Sequence, residues 1–198
     1  NSAARTKSTA QRWRRSQEAA LSGKVRVAIA GLSLSASAFV GMAVREGYTG
    51  NAIIPTRGDV PTYGFGSTVR DDGSRVQMGD QTTPVKALRT ALIHVQRDEP
   101  KIRACIGPEV KLHQAEYDIY VDLAYNIGTF NFCTGGKAGN TSTIVLRLRA
   151  EDYIGACNAI PAWKFAGGYD CSTPGNKICG GVWTDRLRQQ AECLKAAS

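Results

Sequence analysis

An uncharged run of eighteen residues, Val27–Val44, most limits what this 198-residue chain can fold into. As a helix, the run would be about 27 Å long, close to the roughly 30 Å of hydrocarbon in a bilayer. Ten of the eighteen residues are Ala, Gly or Ser, so the run is only weakly hydrophobic. The sequence therefore predicts an N-terminal apolar helix whose affinity for a membrane is marginal.

Several interpretations of this run remain open. A cleavable signal peptide would use the small residues Ala36-Ser37-Ala38 as its cleavage site. A permanent anchor would keep the chain on the membrane. A signal-anchor that leaves the bilayer later accounts best for the weak hydrophobicity, and a buried core helix of a soluble protein would need no membrane.

The flank before the run is basic, with Glu18 as its only acid. Its positively charged residues are Arg5, Lys7, Arg12, Arg14, Arg15, Lys24 and Arg26. By the positive-inside rule, this flank would stay in the cytoplasm and the rest of the chain would be exported. The formal net charge of +8 favours polyanionic partners such as a bacterial wall or anionic lipid. We expect no nucleic-acid partner, because the charge concentrates in the flank and no recognition motif accompanies it.

Six cysteines lie in the C-terminal half, without a C-x-x-C pair or suitably spaced histidines. This pattern favours three disulfides in an oxidising compartment over a zinc site, and we expect no metal or cofactor. Cys171 and Cys179 bracket a turn-rich loop, which favours a local bridge between them. Spacing does not settle the other pairing, for which we favour Cys105–Cys133 and Cys157–Cys193.

Residues 47–80 differ from the residues after them in composition and in hydrophobic pattern. The first stretch is rich in glycine, proline and polar turns, which is typical of a small β-hairpin lobe. From Thr83-Pro84, an N-cap followed by proline at the first helical position, apolar residues recur at helical spacing. We predict an α+β fold with a β lobe over about 47–80 and a larger helical lobe over about 81–198, preceded by residues 1–44 as basic flank and apolar helix.

Glu46 stands between the apolar run and the turn-rich lobe, at a junction where a cleft could form. Cleavage of a glycosidic bond needs a general acid of raised pKa and a second group that orients water or stabilises an oxocarbenium-like centre. Asp59 lies in a loop that could point back to Glu46, and Thr62 opens a run in which Gly64 and Gly66 leave room for a sugar chain. From the chemistry alone this signal is weak, and the simpler interpretation is that Glu46 is a solvated helix end and Asp59 a turn former.

The motifs around these residues resemble phage-type lysozymes of glycoside hydrolase family 24. That family has a Glu-Gly pair, then an aspartate or cysteine, then a threonine that leads a T-x-G-x-G run, and helical motifs follow. The matching segments occur in the same order and are Arg45–Tyr48, Val60–Thr68, Ala115–Asp118, Leu123–Gly128, Ser142–Leu146 and Val182–Arg188. The resemblance covers roughly Arg45 to Leu194.

The resemblance implies a lysozyme-like fold and a phage endolysin that hydrolyses the β-1,4 bond between N-acetylmuramic acid and N-acetylglucosamine in peptidoglycan. It implies that Glu46 is the general acid, that Asp59 positions water or stabilises the transition state, and that Thr62 completes the water site. The enzyme would act as a monomer in host lysis.

Three further residues are expected to contact the substrate by the same resemblance: Asn126, Thr143 and Tyr63. Two of them have a plainer alternative role, since Asn126 could be the C-cap of its helix and Thr143 the N-cap of the next one.

One position departs from the family pattern. The family's aspartate stands six residues before the threonine, and here that position is Thr56, whereas Asp59 stands three residues before Thr62. Either Asp59 takes the role in a rebuilt loop, or Thr56 helps to hold the water. A third option is that Glu46 acts nearly alone, as in a lytic transglycosylase that forms a 1,6-anhydro sugar. A non-catalytic, membrane-tethered wall-binding protein is the alternative from another class.

Some endolysins of this kind export themselves with a signal-anchor-release segment, and Val27–Val44 resembles such a segment. The resemblance implies an inactive form tethered to the host inner membrane and an active form in the periplasm after release. A helix of marginal membrane affinity can be released by a modest change in energy. Once free, its apolar face would have to be buried against the rest of the enzyme.

Overall fold

The computed structural model describes residues 25–55 and 58–198, which form a small lobe of short strands and a larger helical lobe. The predicted α+β fold is confirmed. The basic flank up to Lys24, and Thr56, lie outside the described residues. The described helices are α1 (Ala36–Glu46), α2 (Pro84–Ile106), α3 (Gln114–Ile127), α4 (Thr129–Thr134), α5 (Thr143–Arg149), α6 (Tyr153–Asn158) and α7 (Gly180–Ala197). The described strands are β1 (Val27–Ala28), β2 (Thr49–Ile53), β3 (Thr62–Gly64), β4 (Lys111–Leu112), β5 (Phe165–Ala166) and β6 (Tyr169–Asp170).

The small lobe is built on the antiparallel pair β2–β3, in which Thr49 faces Gly64 and Ile53 faces Thr62. Gly64 has φ +62°, and a Cβ there would lie 2.7 Å from the Cβ of Ala87 in α2. Only glycine permits both this conformation and this approach. The small lobe therefore packs directly onto the helix that follows it in the chain.

The helical lobe is organised around α3, eight of whose residues are buried. Because α3 is enclosed on most sides, the polar groups it carries must find partners within the protein. The long helix α2 begins as predicted, with the Thr83 hydroxyl accepting a hydrogen bond from the Lys86 amide and with Pro84 in the first turn. The largest buried apolar side chains of this lobe are Ile102, Ile106, Leu112, Tyr117, Tyr120, Leu123, Phe132, Ile144 and Leu148.

Three disulfides cross-link the helical lobe. Cys105–Cys133 joins α2 to α4, Cys157–Cys193 joins α6 to α7, and Cys171–Cys179 closes the loop after β6. This is the pairing that the sequence favoured. By loop-closure entropy, each bridge stabilises the fold by roughly 2–4 kcal/mol.

The sequence had suggested one continuous helix over Val27–Val44, but the run is interrupted in this structure. β1 pairs antiparallel with β4, a single 3₁₀ turn follows over Ile29–Gly31, and α1 begins only at Ala36. Among the described residues, no helix is both long enough and apolar enough to cross a membrane.

The helix is interrupted because carboxylates from elsewhere in the chain bind backbone amides of the run. The backbone N–H of Leu34 donates to Glu99 Oε1 at 2.8 Å, and that of Ser35 donates to Asp118 Oδ1 at 2.9 Å. The Ser35 hydroxyl also caps α1 by accepting from the Ala38 amide at 3.2 Å. Carboxylates from two other helices thus replace the backbone carbonyls that a continuous helix would supply.

The apolar side chains of this segment are divided between core and surface. Ile29, Leu32, Met42 and Ala43 are buried in the core of the helical lobe. Val40 and Val44, on the other face of α1, are exposed. Burial of this segment fixes α1 against α3 and so fixes the position of Glu46.

Candidate functional site

Glu46 is the last residue of α1, and the chain turns sharply after it. Gly47 has φ +69°, which lets the helix end there without strain. The last carbonyl groups of a helix carry partial negative charge, so this position disfavours an ionised carboxyl group.

Asn126 orients the Glu46 carboxyl group. Its side-chain Nδ2 donates to Glu46 Oε1 at 2.8 Å, while its Oδ1 accepts from Arg186 Nη2 at 2.7 Å. Arg186 is 2% exposed and also donates to the Trp163 carbonyl and to Gln189 Oε1. The buried guanidinium fixes the amide so that its NH₂ group, and not its oxygen, faces the acid. The C-cap of α3 is Gly128, so Asn126 does not have the capping role that was its alternative.

The pKa of the Glu46 carboxyl is raised above its ordinary value. The main cause is desolvation by the surrounding protein, and the carboxylates of Asp122 and Asp185 add to it. The hydrogen bond from Asn126 and the charge of Arg45 act in the opposite direction and do not cancel the shift. Although Glu46 is accessible from the cleft, this raised pKa favours the protonated form that a general acid requires.

A cleft of about 360 Å³ opens in front of Glu46, between the small lobe and α3. Asp59 and Thr62 line its small-lobe side, and Tyr125 and Asn126 line the opposite side. The structure therefore brings together Glu46, Asp59, Thr62 and Asn126, four of the residues singled out in the sequence.

Gly66 brings the backbone of the small lobe close to the acid. It has φ +72°, and a Cβ there would lie 2.8 Å from Glu46 Oε2. A side chain at this position would displace the carboxyl group, so the second glycine of the T-x-G-x-G run keeps Oε2 accessible.

Two predicted substrate contacts do not lie at the cleft. Tyr63 is 3% exposed and packs in the core of the small lobe with Ala52 and Val76. The prediction was wrong for a geometric reason: Thr62 and Gly64 face the cleft, and successive side chains of a strand point to opposite faces. Thr143 is exposed and absent from the cleft lining, and the N-cap of α5 is Ser142 instead, whose hydroxyl accepts from the Val145 amide.

A second cavity, of about 580 Å³, lies on the other side of Glu46 and Asn126. It is lined by polar groups from α1, α3 and α7 that include Arg45, Asp122, Asp185 and Arg188. This cluster was not singled out from the sequence. The spacing of Asp122 and Asn126 was the available signal, because residues four apart share one face of a helix.

Comparison with known proteins agrees with this architecture. The family model described as phage lysozyme matches residues 43–177, which include Glu46, the small lobe and most of the helical lobe. The matched region starts within α1, so most of the N-terminal segment lies outside it.

Individual relatives point the same way. An endolysin of Salmonella phage P22 is 31% identical over 136 residues, which span 69% of this chain and 86% of the relative. A SAR-endolysin of Haemophilus phage HP1 is 28% identical over 144 residues, or 69% of this chain and 68% of the relative. The crystal structure of a P22 lysozyme mutant, 28% identical, superposes with a TM-score of 0.60 over 82% of this chain and 99% of that structure.

Proposed function

The chain belongs to the phage lysozyme family, and we propose that Glu46 is the general acid with which it cleaves peptidoglycan. It is a glycoside hydrolase of the lysozyme type, an endolysin whose target is the β-1,4 bond between N-acetylmuramic acid and N-acetylglucosamine. The observation that carries the assignment is the Glu46 carboxyl group, which faces the cleft with a raised pKa and a fixed orientation.

The hydrogen bond from Asn126 favours the proton on the other oxygen of Glu46. Oε1 accepts from Asn126, so it is the oxygen that favours a lone pair. Oε2 faces Gly66 and the cleft, where it can donate the proton to the departing glycosidic oxygen. The cavities on both sides of Glu46 give room for sugar units before and after the scissile bond.

Asp59 and Thr62 supply the second half of the reaction in this proposal. Both line the cleft opposite Asn126, where a carboxylate and a hydroxyl can hold a water molecule or stabilise positive charge on the sugar. The lining position supports Asp59 for the role that family spacing would give to Thr56, which lies outside the described residues.

The test is muropeptide analysis by mass spectrometry after digestion of purified peptidoglycan with the wild type and with Glu46→Gln. We expect reducing-end muramic acid from the wild type and none from the variant. Anhydro-muramic acid would instead identify a transglycosylase and remove the role of Asp59. Absence of any product from the wild type would leave a wall-binding protein.

We further propose that the segment Val27–Val44 first tethers the enzyme to the host inner membrane and then refolds onto it in the periplasm. The relative from phage HP1 is a SAR-endolysin, and the segment here has both an apolar composition and a docking surface on the enzyme body. Ile29, Leu32 and Met42 fill the core, so extraction into a bilayer would leave that core incomplete. Since α1 ends in Glu46, a tethered segment would also hold the acid away from Asn126.

A further inference from the structure

Three arginines surround Glu46, yet among the described residues none forms an ion pair with it. Arg45 precedes Glu46 directly, and Arg186 and Arg188 approach from α7. Arg186 reaches the acid only through the amide of Asn126. A guanidinium placed on the carboxyl group would favour its ionised form and so impair a general acid.

Asp122 forms ion pairs with Arg45 and Arg188, the two arginines that line the same cavity as Glu46. Its Oδ2 accepts from Arg45 Nη2 at 2.8 Å, from Arg188 Nη2 at 3.0 Å and from Gln189 Nε2 at 3.0 Å. The residue is 6% exposed, so these donors are held in a partly desolvated place where charge interactions are strong. Asp122 is one turn before Asn126 on α3, next to the acid but not in contact with it.

The local charges balance without Glu46. Asp185 accepts from both Arg186 and Arg188, and Glu192 accepts from Arg188. With Asp122, three carboxylates thus face three guanidinium groups. Protonation of Glu46 therefore leaves no arginine of this cluster without a negative partner.

We propose that Asp122 is a positioning residue for the reaction, which holds Arg45 and Arg188 away from Glu46 and thereby keeps the acid protonated at the pH of its work. The inference deepens the proposed role of Glu46 and rests on it. In this inference Asp122 acts on Glu46 through Arg45 and Arg188.

The charged and titratable groups that face Glu46 come from every element around it, and they define what a substitution does. They are Arg45 on α1, Asp122 and Tyr125 on α3, Asp185, Arg186 and Arg188 on α7, and Asp59 on the small lobe. Asp122→Asn removes a negative charge near Glu46 and leaves Arg45 with only its longer contact, 3.9 Å, to Asp185. Both changes favour the ionised carboxylate, so both lower the pKa of Glu46.

The experiment measures the pH dependence of kcat/KM on purified peptidoglycan, together with the titration of the Glu46 carboxyl carbon by NMR. For Asp122→Asn, we expect the alkaline limb and the NMR midpoint to move to lower pH by about one unit. Asp118→Asn is the matched control, with the same substitution one turn earlier on α3, and its alkaline limb should stay where it is in the wild type. A uniform loss of activity without a shift would overturn the proposal.

Arg45→Gln tests the same arrangement with the opposite sign and keeps Asp122 in place. Removing this cation should move the limb and the NMR midpoint to higher pH. In the double variant, Arg45→Gln should reverse much of the shift caused by Asp122→Asn, because the Arg45 cation is then absent. If Asp122→Asn does not fold, the Arg45→Gln result decides alone, and no shift in it rejects the proposal.

The two hypotheses can fail separately. If the wild type releases no muramic acid, or if Glu46→Gln remains active, the proposed function fails. If the wild type is active and depends on Glu46, but the NMR midpoint of Glu46 is unchanged in Asp122→Asn, only the role of Asp122 fails.

Discussion

The two ends of α3 meet the two ends of α1 with the same type of side chain but with different consequences. At the first end, Asp118 accepts hydrogen bonds from the backbone and hydroxyl of Ser35, and these contacts start α1. At the other end, Asp122 binds Arg45 and Asn126 binds Glu46. The first contacts hold a segment in place, whereas the second set the chemistry of one carboxyl group.

The spacing along α3 explains how one helix performs both tasks. Asp118, Asp122 and Asn126 follow one another at intervals of four residues, so they form a single stripe that faces α1. The stripe is about 12 Å long at 1.5 Å per residue, comparable with the length of α1. Docking of the N-terminal segment and assembly of the site are therefore parts of one interface.

The largest expected effect is on stability and concerns the first end of α3, which we call the structural end because it holds the N-terminal segment. Glu116, 0% exposed in the first turn of α3, binds Arg26 through two hydrogen bonds and accepts a third from the His113 amide. We expect Glu116→Ala to lower the free energy of unfolding by about 2–4 kcal/mol, because it removes one partner of a buried pair and a helix cap. Chemical denaturation measures this.

Glu192→Ala is the matched control for that prediction. Glu192 also pairs with an arginine, Arg188, but its side chain is 52% exposed. Its loss should change the free energy of unfolding by less than about 1 kcal/mol. Equal losses in the two variants would contradict the idea that Arg26 and Glu116 hold the N-terminal segment on the body.

An intermediate effect, on activity, is expected at the other end of α3, which we call the functional end because it carries Asn126. Asn126→Ala removes the donor that orients Glu46 and leaves Arg186 Nη2 without its amide partner. We expect kcat to fall by roughly ten- to a hundredfold, because a misplaced acid loses its alignment with the leaving oxygen. Steady-state kinetics on soluble peptidoglycan fragments would show it, and a rise in KM at constant kcat would contradict it.

Features that depend on neighbours in the chain could be predicted from the sequence. Thr83 and Pro84 start α2 as expected, and Glu46, Asp59, Thr62 and Asn126 line one cleft. Their catalytic roles stay predictions. The inward position of Tyr63 was also accessible, because the alternation of a strand that exposes Thr62 and Gly64 to the cleft directs the residue between them away from it.

The break in the apolar run could not be predicted from the sequence of the run alone. The carboxylates that bind the amides of Leu34 and Ser35 lie 65 and 83 residues further along the chain. Hydrophobicity alone predicts a continuous helix for these residues, and only tertiary contacts select the interrupted form. The same reason hid Asp122, whose partners come from α1 and α7.

The smallest expected effect is the contribution of the Glu46 carboxyl group to the stability of the fold. The folded protein raises the pKa of Glu46 above its unfolded value, so this group stabilises the fold only at low pH and loses that contribution as pH rises through the folded pKa. Glu46→Gln imitates the protonated form at every pH. The variant should therefore be inactive yet slightly more stable at pH 7.

Thermal unfolding as a function of pH measures this last difference. We expect the Tm of Glu46→Gln to exceed that of the wild type by on the order of 1–2 °C at pH 7, a modest gain because the cleft leaves the carboxyl partly screened by solvent. The two curves should converge below about pH 4, where the wild-type carboxyl is protonated in both states. A lower Tm for the variant at neutral pH would mean that ionised Glu46 is stabilised by its surroundings, and the functional end of α3 would then be another structural contact.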